Sequence, residues 1–423
     1  MQIATDAKAT YRDVFAIAEF RALFGADLVS LLGDMLATVV VTYLLFERTG
    51  SPLIASLGLA IDYVPWLVGG PLLSAWADRF PPRTVLVGCD VVRAVLIALA
   101  AIPGIPLALA GLFILGAAML GPPFDSTVSG VTVDVLPGDT YAVGSSIRSM
   151  VHQTSMIVGF LAGGALLLFV GSSTALLLDA LTFAVSAVLI RFGLKYRPAP
   201  AATGKDTDGD AVERRTVWRD TFAAARVLAG RRDLRVPLLL FILGPLCTVA
   251  PIALAAAWSD EMGRGPETVG LTMTVVAVGG LLGSFVLGRF VGPGHRERLL
   301  GPLTVAAGLT LTPLLLRPPV PVALALFTLS GALAGVGFVA RAMLGRALPE
   351  DMRSRGFGLA MSLGYGTQMA GIVGVGALAS LWEPHLALAA VGAIAFLATV
   401  PLLVPAHSLA RALEPEPEPA PAV

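Results

Sequence analysis

The sequence predicts an all-α membrane protein: twelve transmembrane helices in two pseudo-symmetric six-helix halves, with both chain ends cytoplasmic. Three observations predict it. Apolar runs of bilayer length recur along the whole chain, basic residues alternate between the segments that join them, and landmarks of the first half return in the second. Of 423 residues, 56% are hydrophobic and only 14% are charged. A soluble domain carries roughly a quarter charged residues, so this chain has too little charge to cover a globule. The net charge is zero, which gives nucleic acid no basic surface to bind. Cys89 and Cys247 both lie in apolar runs. Two such residues make neither a disulfide framework nor a metal set, and no cofactor or metal is expected.

The apolar runs fall at 20–46, 53–77, 84–102, 106–128, 142–170 and 173–194, then at 236–257, 267–290, 299–316, 320–346, 356–382 and 385–405. Each is near the length that crosses a bilayer. Their Gly- and Ala-rich composition suits close helix packing in lipid. The N-terminus, "MQIATDAKATYRDVF", starts with mixed charges and has no short apolar core before a cleavage site, so a cleaved signal is not expected. With both ends cytoplasmic, the inner segments hold 24 Lys and Arg and the outer loops hold three. That bias sets orientation by the positive-inside rule.

The organisation follows: a cytoplasmic N-terminal segment over 1–19, a six-helix half over 20–195, a linker over 196–235, a second half over 236–405 and an acidic, Pro-rich tail over 406–423. The linker opens Pro-, Gly- and Asp-rich, as flexible connections do. Its stretch 217–230 has the pattern of an amphipathic helix lying on the membrane. The tail "EPEPEPAPAV" is low-complexity and is expected to be disordered. "SAWADRF" at 74–80 returns as "SFVLGRF" at 284–290, and "LPGD" at 136–139 as "LPED" at 348–351. Gly144, Gly159 and Gly164 match Gly356, Gly371 and Gly376 at the second offset. A unit used twice in parallel is a transporter pattern.

Twelve runs, the repeat and "SAWADRFPPR" between runs 2 and 3 resemble the major facilitator superfamily. That loop's signature there is G-x-x-x-D-R-x-G-R-R. This chain matches it at Asp78, Arg79 and Arg83 and departs at Ser74 and Pro81-Pro82. "LVSLLGDML", "LPGDTYAVGSSIRSM" and "LLLDALTFAVSAVLI" are similar to the branch of macrolide-efflux proteins and the enterobactin exporter. Antiporters of the superfamily carry G-x-x-x-G-P-x-x-G-G in span 5. Gly159, Gly163 and Gly164 stand in that register as helix-packing positions, but Phe160 replaces the Pro. The Arg that many of them carry in span 4 is absent, and Asp125 stands in that run.

The resemblance implies that the two halves rock about a central site, so the cytoplasmic side needs a latch that opens at low cost. Asp78 ends span 2. There a carboxylate can face a helix N-terminus, worth about 0.3–1 kcal/mol, and the resemblance implies the start of span 11 near Gly356. Arg79 and Arg83 are expected to pair with Asp134 or Asp139, with a role as topology anchors as the plainer alternative.

Ionisable groups inside a span are costly and by default functional. In span 1, Asp27, Ser30, Asp34, Thr38 and Thr42 recur at spacings of three and four, which places one polar stripe on one helix face. Counting about 1.5 Å per residue puts Asp34 near mid-bilayer, with Asp62 of span 2 at similar depth. Such carboxyls suit proton exchange, so Asp34 and Asp62 are the coupling candidates. The alternatives are acids held by backbone or hydroxyl donors, or counter-charges for a cationic substrate. Asp27 is expected at the cytoplasmic gate. Asp90 and Arg93 are expected to pair along one helix, and Asp179 to be structural near the outer end of span 6. Ser30, Thr38, Tyr63, Trp66, Gln153, Arg341 and Tyr365 are cavity candidates along with Asp27. Arg341 could snorkel or meet an anionic substrate.

No phosphate-binding Gly-rich loop and no nucleophile–base pair are found, so neither ATP-driven transport nor an enzyme is expected. The reading is a monomeric secondary transporter in the bacterial plasma membrane. Its partners are a small molecule, protons and the lipid bilayer, and it exports an amphipathic drug or metabolite by proton antiport. A dedicated siderophore or natural-product exporter is the alternative, and a proton-coupled nutrient importer a more distant one.

Overall fold

A computed structural model describes residues 10–68, 73, 76–199, 226, 228, 230–349 and 353–412. Ser74, most of the linker and the end of the tail lie outside the described residues. Among those described, the chain is helical and contains no strand. Among the described residues, eight helices are long and apolar enough to cross a membrane, and every apolar run named above is largely helical over its described part.

Contacts divide the chain into two compact units. The first takes Met1–Asp210 and Ala255–Thr274, the second Ala211–Leu254 and Val275–Val423. The first unit begins with α1 (Tyr11–Ala16) and α2 (Ala18–Thr49), followed by α3 (Pro52–Ala60), a 3-10 turn at Ile61–Tyr63 and α4 (Val64–Val68). Next come α5 (Pro82–Ala100), α6 (Leu107–Ala118), α7 (Gly121–Val135) and α8 (Asp139–Gly193). The chain then runs through α9 (Arg232–Leu243), α10 (Leu246–Ala253), α11 (Ala255–Glu261), α12 (Pro266–Phe290) and α13 (Pro293–Leu309). The series ends with α14 (Val320–Ala334), α15 (Gly337–Ala347), α16 (Arg353–Ala379), α17 (Pro384–Thr399) and α18 (Leu403–Ala412).

The ends of these helices follow from the sequence. Gly50 closes α2 in the left-handed region at φ 62°, and Ser51 caps α3 by accepting from the Ile54 N–H. Pro81-Pro82 now has a local reason. Pro82 is the first residue of α5, where a missing N–H costs nothing and the fixed φ favours the start. α8 looks continuous, but Gly171 at φ 71° breaks it, so it serves as two runs, 139–170 and 172–193. At the other turn of this kind, Arg296 closes the end of α12. Its Nε donates to the carbonyls of Leu287 (2.8 Å) and Val291 (2.6 Å), and its Nη2 to that of Gly288 (2.5 Å). Those carbonyls have no partner within the helix.

In the first unit α2 packs along α8, and α5 fits against both α7 and α8. Phe20, Leu23, Leu86, Phe124, Val128 and Ile190 meet in its core. The second unit has its own core around Leu234, Leu240, Phe241, Leu300 and Leu344. Outside, Phe169, Phe192, Leu316 and Leu381 are almost wholly exposed, a surface that suits lipid rather than water.

Helix contact in the first unit is closest at the span-5 glycines. A Cβ on Gly159 would stand 3.1 Å from the Leu32 carbonyl oxygen, and one on Gly163 would stand 2.9 Å from that of Leu36. On Gly164 it would meet the Cα of Gly270 at 2.8 Å and the Pro266 oxygen at 2.9 Å. The backbones therefore touch, with no room for a side chain. Gly163→Val is expected to destabilise the protein by about 1–3 kcal/mol through overpacking. A thermal melt of the detergent-solubilised protein reads this. Gly130→Ala, at a helical glycine with nothing within 4 Å, should melt like wild type, and equal melts for both variants would refute the packing argument.

Candidate functional site

The first unit concentrates the embedded charges, and they form two groups, each built around one arginine. Arg93 of α5 centres the first. Its side chain is 9% exposed and its Nη2 lies 3.7 Å from Oδ2 of Asp34 on α2, which is 32% exposed. The guanidinium stacks on Phe183 at 4.7 Å and reaches Phe124 at 5.8 Å, measured to the ring centres. Its Nε donates to the Ala117 carbonyl at 3.3 Å. A planar cation stacks on rings and forks hydrogen bonds in one geometry, so this arginine is held from several sides.

The expected pair of Asp90 and Arg93 along one helix is not formed. Arg93 turns to Asp34, and Asp90, fully buried, accepts from Ser186 Oγ of α8 at 2.6 Å. The other carboxyl oxygen of Asp90 has no hydrogen-bond partner. Asp179, expected to be structural, packs against a second helix. It is buried, and Thr182 Oγ1 donates to its carbonyl at 2.7 Å and to its Oδ1 at 3.4 Å. A Cβ on Gly33 would collide with that Oδ1, so the Asp179 carboxylate rests on the α2 backbone beside Asp34. Asp62 sits in the 3-10 turn between α3 and α4, exposed and within electrostatic range of Asp34 and Arg93. Four carboxyls thus lie within electrostatic range of one guanidinium, Asp34 nearest by its ion pair. Among the described residues, no three of them bring ligand atoms within 4.8 Å of one another, so the group is not gathered as a metal site.

Arg148 of α8 centres the second group, and the sequence reading missed it by counting Arg148 only as a topology charge. Its Nε donates to Asp27 Oδ2 at 3.1 Å and its Nη1 to Ser129 Oγ at 2.9 Å, while its Nη2 pairs with Asp125. One side chain therefore ties α2, α7 and α8 together. Asp27 is buried and Asp125 is half exposed. His152, one turn along α8 from Arg148, is within range of both acids. The signal available in the sequence was spacing: Asp125 with Ser129, and Arg148 with His152, each lie four apart on one helix face.

The remaining candidates are scattered. In the polar stripe of α2, Thr38 donates to the Asp34 carbonyl (2.9 Å) and Thr42 to that of Thr38 (2.7 Å), while Ser30 is buried. Tyr63, Trp66 and Gln153 are partly buried in the first unit. Arg341 and Tyr365 belong to the second, where the Arg341 guanidinium lies 5.7 Å from the Phe241 ring centre. The expected pairing of Arg83 with Asp134 is not formed. Arg83 donates instead to the carbonyl of Arg191 near the end of α8. Asp78, Arg79 and Asp134 are exposed, and none joins an ion pair among the described residues.

Among the described residues, paired charges lie in long apolar helices of two helical units, an arrangement that suits a membrane transporter. The profile of the Major Facilitator Superfamily matches residues 23–300 and 238–422, and the chain belongs to that superfamily. It is therefore a multi-pass membrane transporter. It is similar to the uncharacterized MFS-type transporter YkuC of Bacillus subtilis, 28% identical over 186 residues, which are 42% of each chain. It is also similar to macrolide efflux protein A of Streptococcus pyogenes, 25% identical over 76 residues, or 18% of this chain and 19% of that one. The matched stretches thus span less than half the length of these relatives. A solved bacterial homolog of the human lysosomal transporter Spinster shares the fold at a TM-score of 0.68 and 15% identity, covering 93% of this chain and 96% of its own. A POT peptide transporter in complex with sulfate does so at 0.71 and 13%, covering 96% and 97%. The nucleoside transporter NupG does so at 0.68 and 14%, covering 92% and 99%.

Removing one member of a buried ion pair costs about 3–5 kcal/mol, and less where the site is partly open. Arg148→Gln is expected to destabilise by roughly 1–3 kcal/mol on that basis. Adding Asp27→Asn should return part of the loss, because the stranded carboxylate is then gone. Melting temperatures of the two single variants and the double variant form the cycle, and strictly additive losses would show that the pair is not coupled.

Proposed function

We propose that this protein is a secondary transporter of the bacterial plasma membrane that exports an amphipathic small molecule by alternating access in exchange for protons. The chain crosses the membrane twelve times with both ends cytoplasmic, in keeping with the 24-to-3 bias of basic residues. The observation that carries the reading is the Asp34–Arg93 contact inside a group of four carboxyls. In a low-dielectric setting one guanidinium cannot neutralise four carboxylates, so the group approaches neutrality by binding protons. Asp90 and Asp179 are buried and held by hydroxyls, whereas Asp34 and Asp62 are accessible and can exchange.

A proton arriving on Asp34 removes its charge and weakens its hold on Arg93. The link between α2 and α5 thereby changes with proton occupancy, and that is the differential interaction a two-state cycle needs. Direction and substrate class rest on the similarity to macrolide efflux protein A, which makes a macrolide the first probe.

Inverted vesicles carrying the protein are expected to accumulate a radiolabelled macrolide when a pH gradient is imposed. Asp34→Asn should cut the gradient-dependent part at least tenfold while leaving downhill exchange measurable. If Asp34→Asn and Asp62→Asn both move the probe at the wild-type, gradient-dependent rate, the coupling assignment is wrong.

A further inference from the structure

Basic residues gather at the helix ends assigned to the cytoplasm, and several are engaged by the protein itself. In the first unit Lys195 and Arg197 grip Glu19 at 3.2 and 2.8 Å, and Arg21 donates to the Phe15 carbonyl at 2.8 Å. In the second, Arg296 closes α12 and Arg346 pairs with Glu297. One corner is different. Arg83, the second residue of α5, and Arg191, near the end of α8, join no ion pair among the described residues. They meet there, because Arg83 Nη2 donates to the main-chain carbonyl of Arg191. The Nε of Arg83 is buried and has no hydrogen-bond partner among the described residues. Arg191 is exposed, with its guanidinium 5.9 Å from the ring centre of Phe192.

Guanidiniums keep their charge at any ordinary pH. Two of them on adjoining helix ends, with no acid paired to either, repel each other, and an anion from outside the chain would complete the corner. The surface beside it says which kind. α5 and α8 pack on each other, and each exposes an apolar stripe: Val91, Val95 and Ile102 on α5, Leu181, Val188 and Phe192 on α8. The spacings keep each stripe near one helix face. Phe192, next to Arg191, is 81% exposed. Gly88, five residues into α5 from Arg83, is exposed, and a Cβ there would have nothing within 4 Å, so a notch lies just inside the arginines. From Arg83 to Ile102 the helix runs about 28 Å at 1.5 Å per residue, close to the thickness of the hydrocarbon layer. A soluble anion would use the charge and leave the stripes bare. A molecule with an anionic head and apolar tails uses both.

We infer that Arg83 and Arg191 form a binding site for the phosphate headgroup of an anionic phospholipid, whose acyl chains lie along α5 and α8. On the orientation proposed above the lipid belongs to the inner leaflet. The site depends neither on the transported molecule nor on protons. Guanidiniums take phosphate oxygens through forked, charge-assisted N–H bonds, and basic pockets between spans on the cytoplasmic side seat such headgroups. The lipid would join the start of α5 to the end of α8, the same two helices that the Asp90–Ser186 hydrogen bond ties together deeper in the unit. It would thereby brace the pair of helices that hold Arg93 and Phe183.

The test titrates the purified full chain in a neutral detergent with dioleoyl phosphatidylglycerol and with dioleoyl phosphatidylcholine, read by native mass spectrometry. The two lipids share their tails and differ in headgroup charge. Wild type is expected to hold phosphatidylglycerol at least fivefold more tightly. Arg83→Gln combined with Arg191→Gln should bring the two lipids within twofold of each other. Gly88→Leu, which fills the notch and leaves the charges, should weaken phosphatidylglycerol severalfold. Arg235→Gln, at an exposed arginine of the second unit that joins no ion pair among the described residues, should leave the preference unchanged, whereas a diffuse attraction to basic surface would fall in both. Should the double variant fail to fold, wild type is labelled instead with phosphatidylglycerol carrying a photoreactive diazirine in its tail, and adducts are expected within 84–95 and 185–192. The inference is overturned by equal binding of the two lipids, by a double variant that keeps the preference, by an equal loss in Arg235→Gln, or by adducts confined to other helices. Release of the lipid by excess inorganic phosphate would assign the two arginines to a soluble anion and overturn the lipid likewise.

Discussion

Arg93 is the constraint on which the first unit depends. A guanidinium cannot be neutralised by losing its proton, so a chain that places one inside a span must build around it. Here the surround is Asp34 from α2, the Ala117 carbonyl from α6 and two phenyl faces from α7 and α8. Four other helices are thus aligned by one side chain of α5. Such a site is weak evidence for stability, because desolvation offsets most of the attraction. Its value lies in specifying one arrangement of helices and in making that arrangement responsive to charge.

Much of this was legible in the sequence, and the part that was not has a physical cause. Apolar length and the distribution of Lys and Arg are one-dimensional properties, and the helices follow them. An expected depth for Asp34 and Asp62 could be counted along a helix of known rise. Pairing could not, because the partners come from different helices. Asp90 and Arg93 are three apart, and local spacing joined them. In the folded chain Asp90 bonds to Ser186, 96 positions away, and Arg93 goes to Asp34. The approach of Asp179 to Gly33 of another helix was hidden for the same reason. Arg148 was hidden by its usefulness to topology: a basic residue at the inner end of a span satisfies the orientation rule before any partner is considered.

The two halves share landmarks but differ in chemistry. The first carries Asp27, Asp34, Asp62, Asp90, Asp125 and Asp179 within its apolar runs, whereas the runs of the second hold one acid, Glu267 at an edge, with Arg289, Arg341 and Arg346. The two stretches that share "SAWADRF" and "SFVLGRF" have diverged likewise. Asp78 becomes Gly288, and the Gly288 carbonyl accepts from Arg296. Where the first loop holds an exposed acid, the second has turned its backbone into the acceptor for a neighbouring arginine. A duplicated scaffold has kept its turns and placed its titrating groups on one side.

Asp27 and Asp34 lie seven residues apart on α2, which is about 10 Å along the axis and almost the same face. One is held by Arg148 and the other by Arg93, so the two ion pairs are mounted on a single stiff rod. If α2 tilts or turns enough to part Asp34 from Arg93, the same movement strains the grip on Asp27. The lower pair therefore acts as a spring and the upper pair as a catch. Loosening the spring would therefore loosen the catch as well, so the two arginines act on each other through the helix that carries both acids.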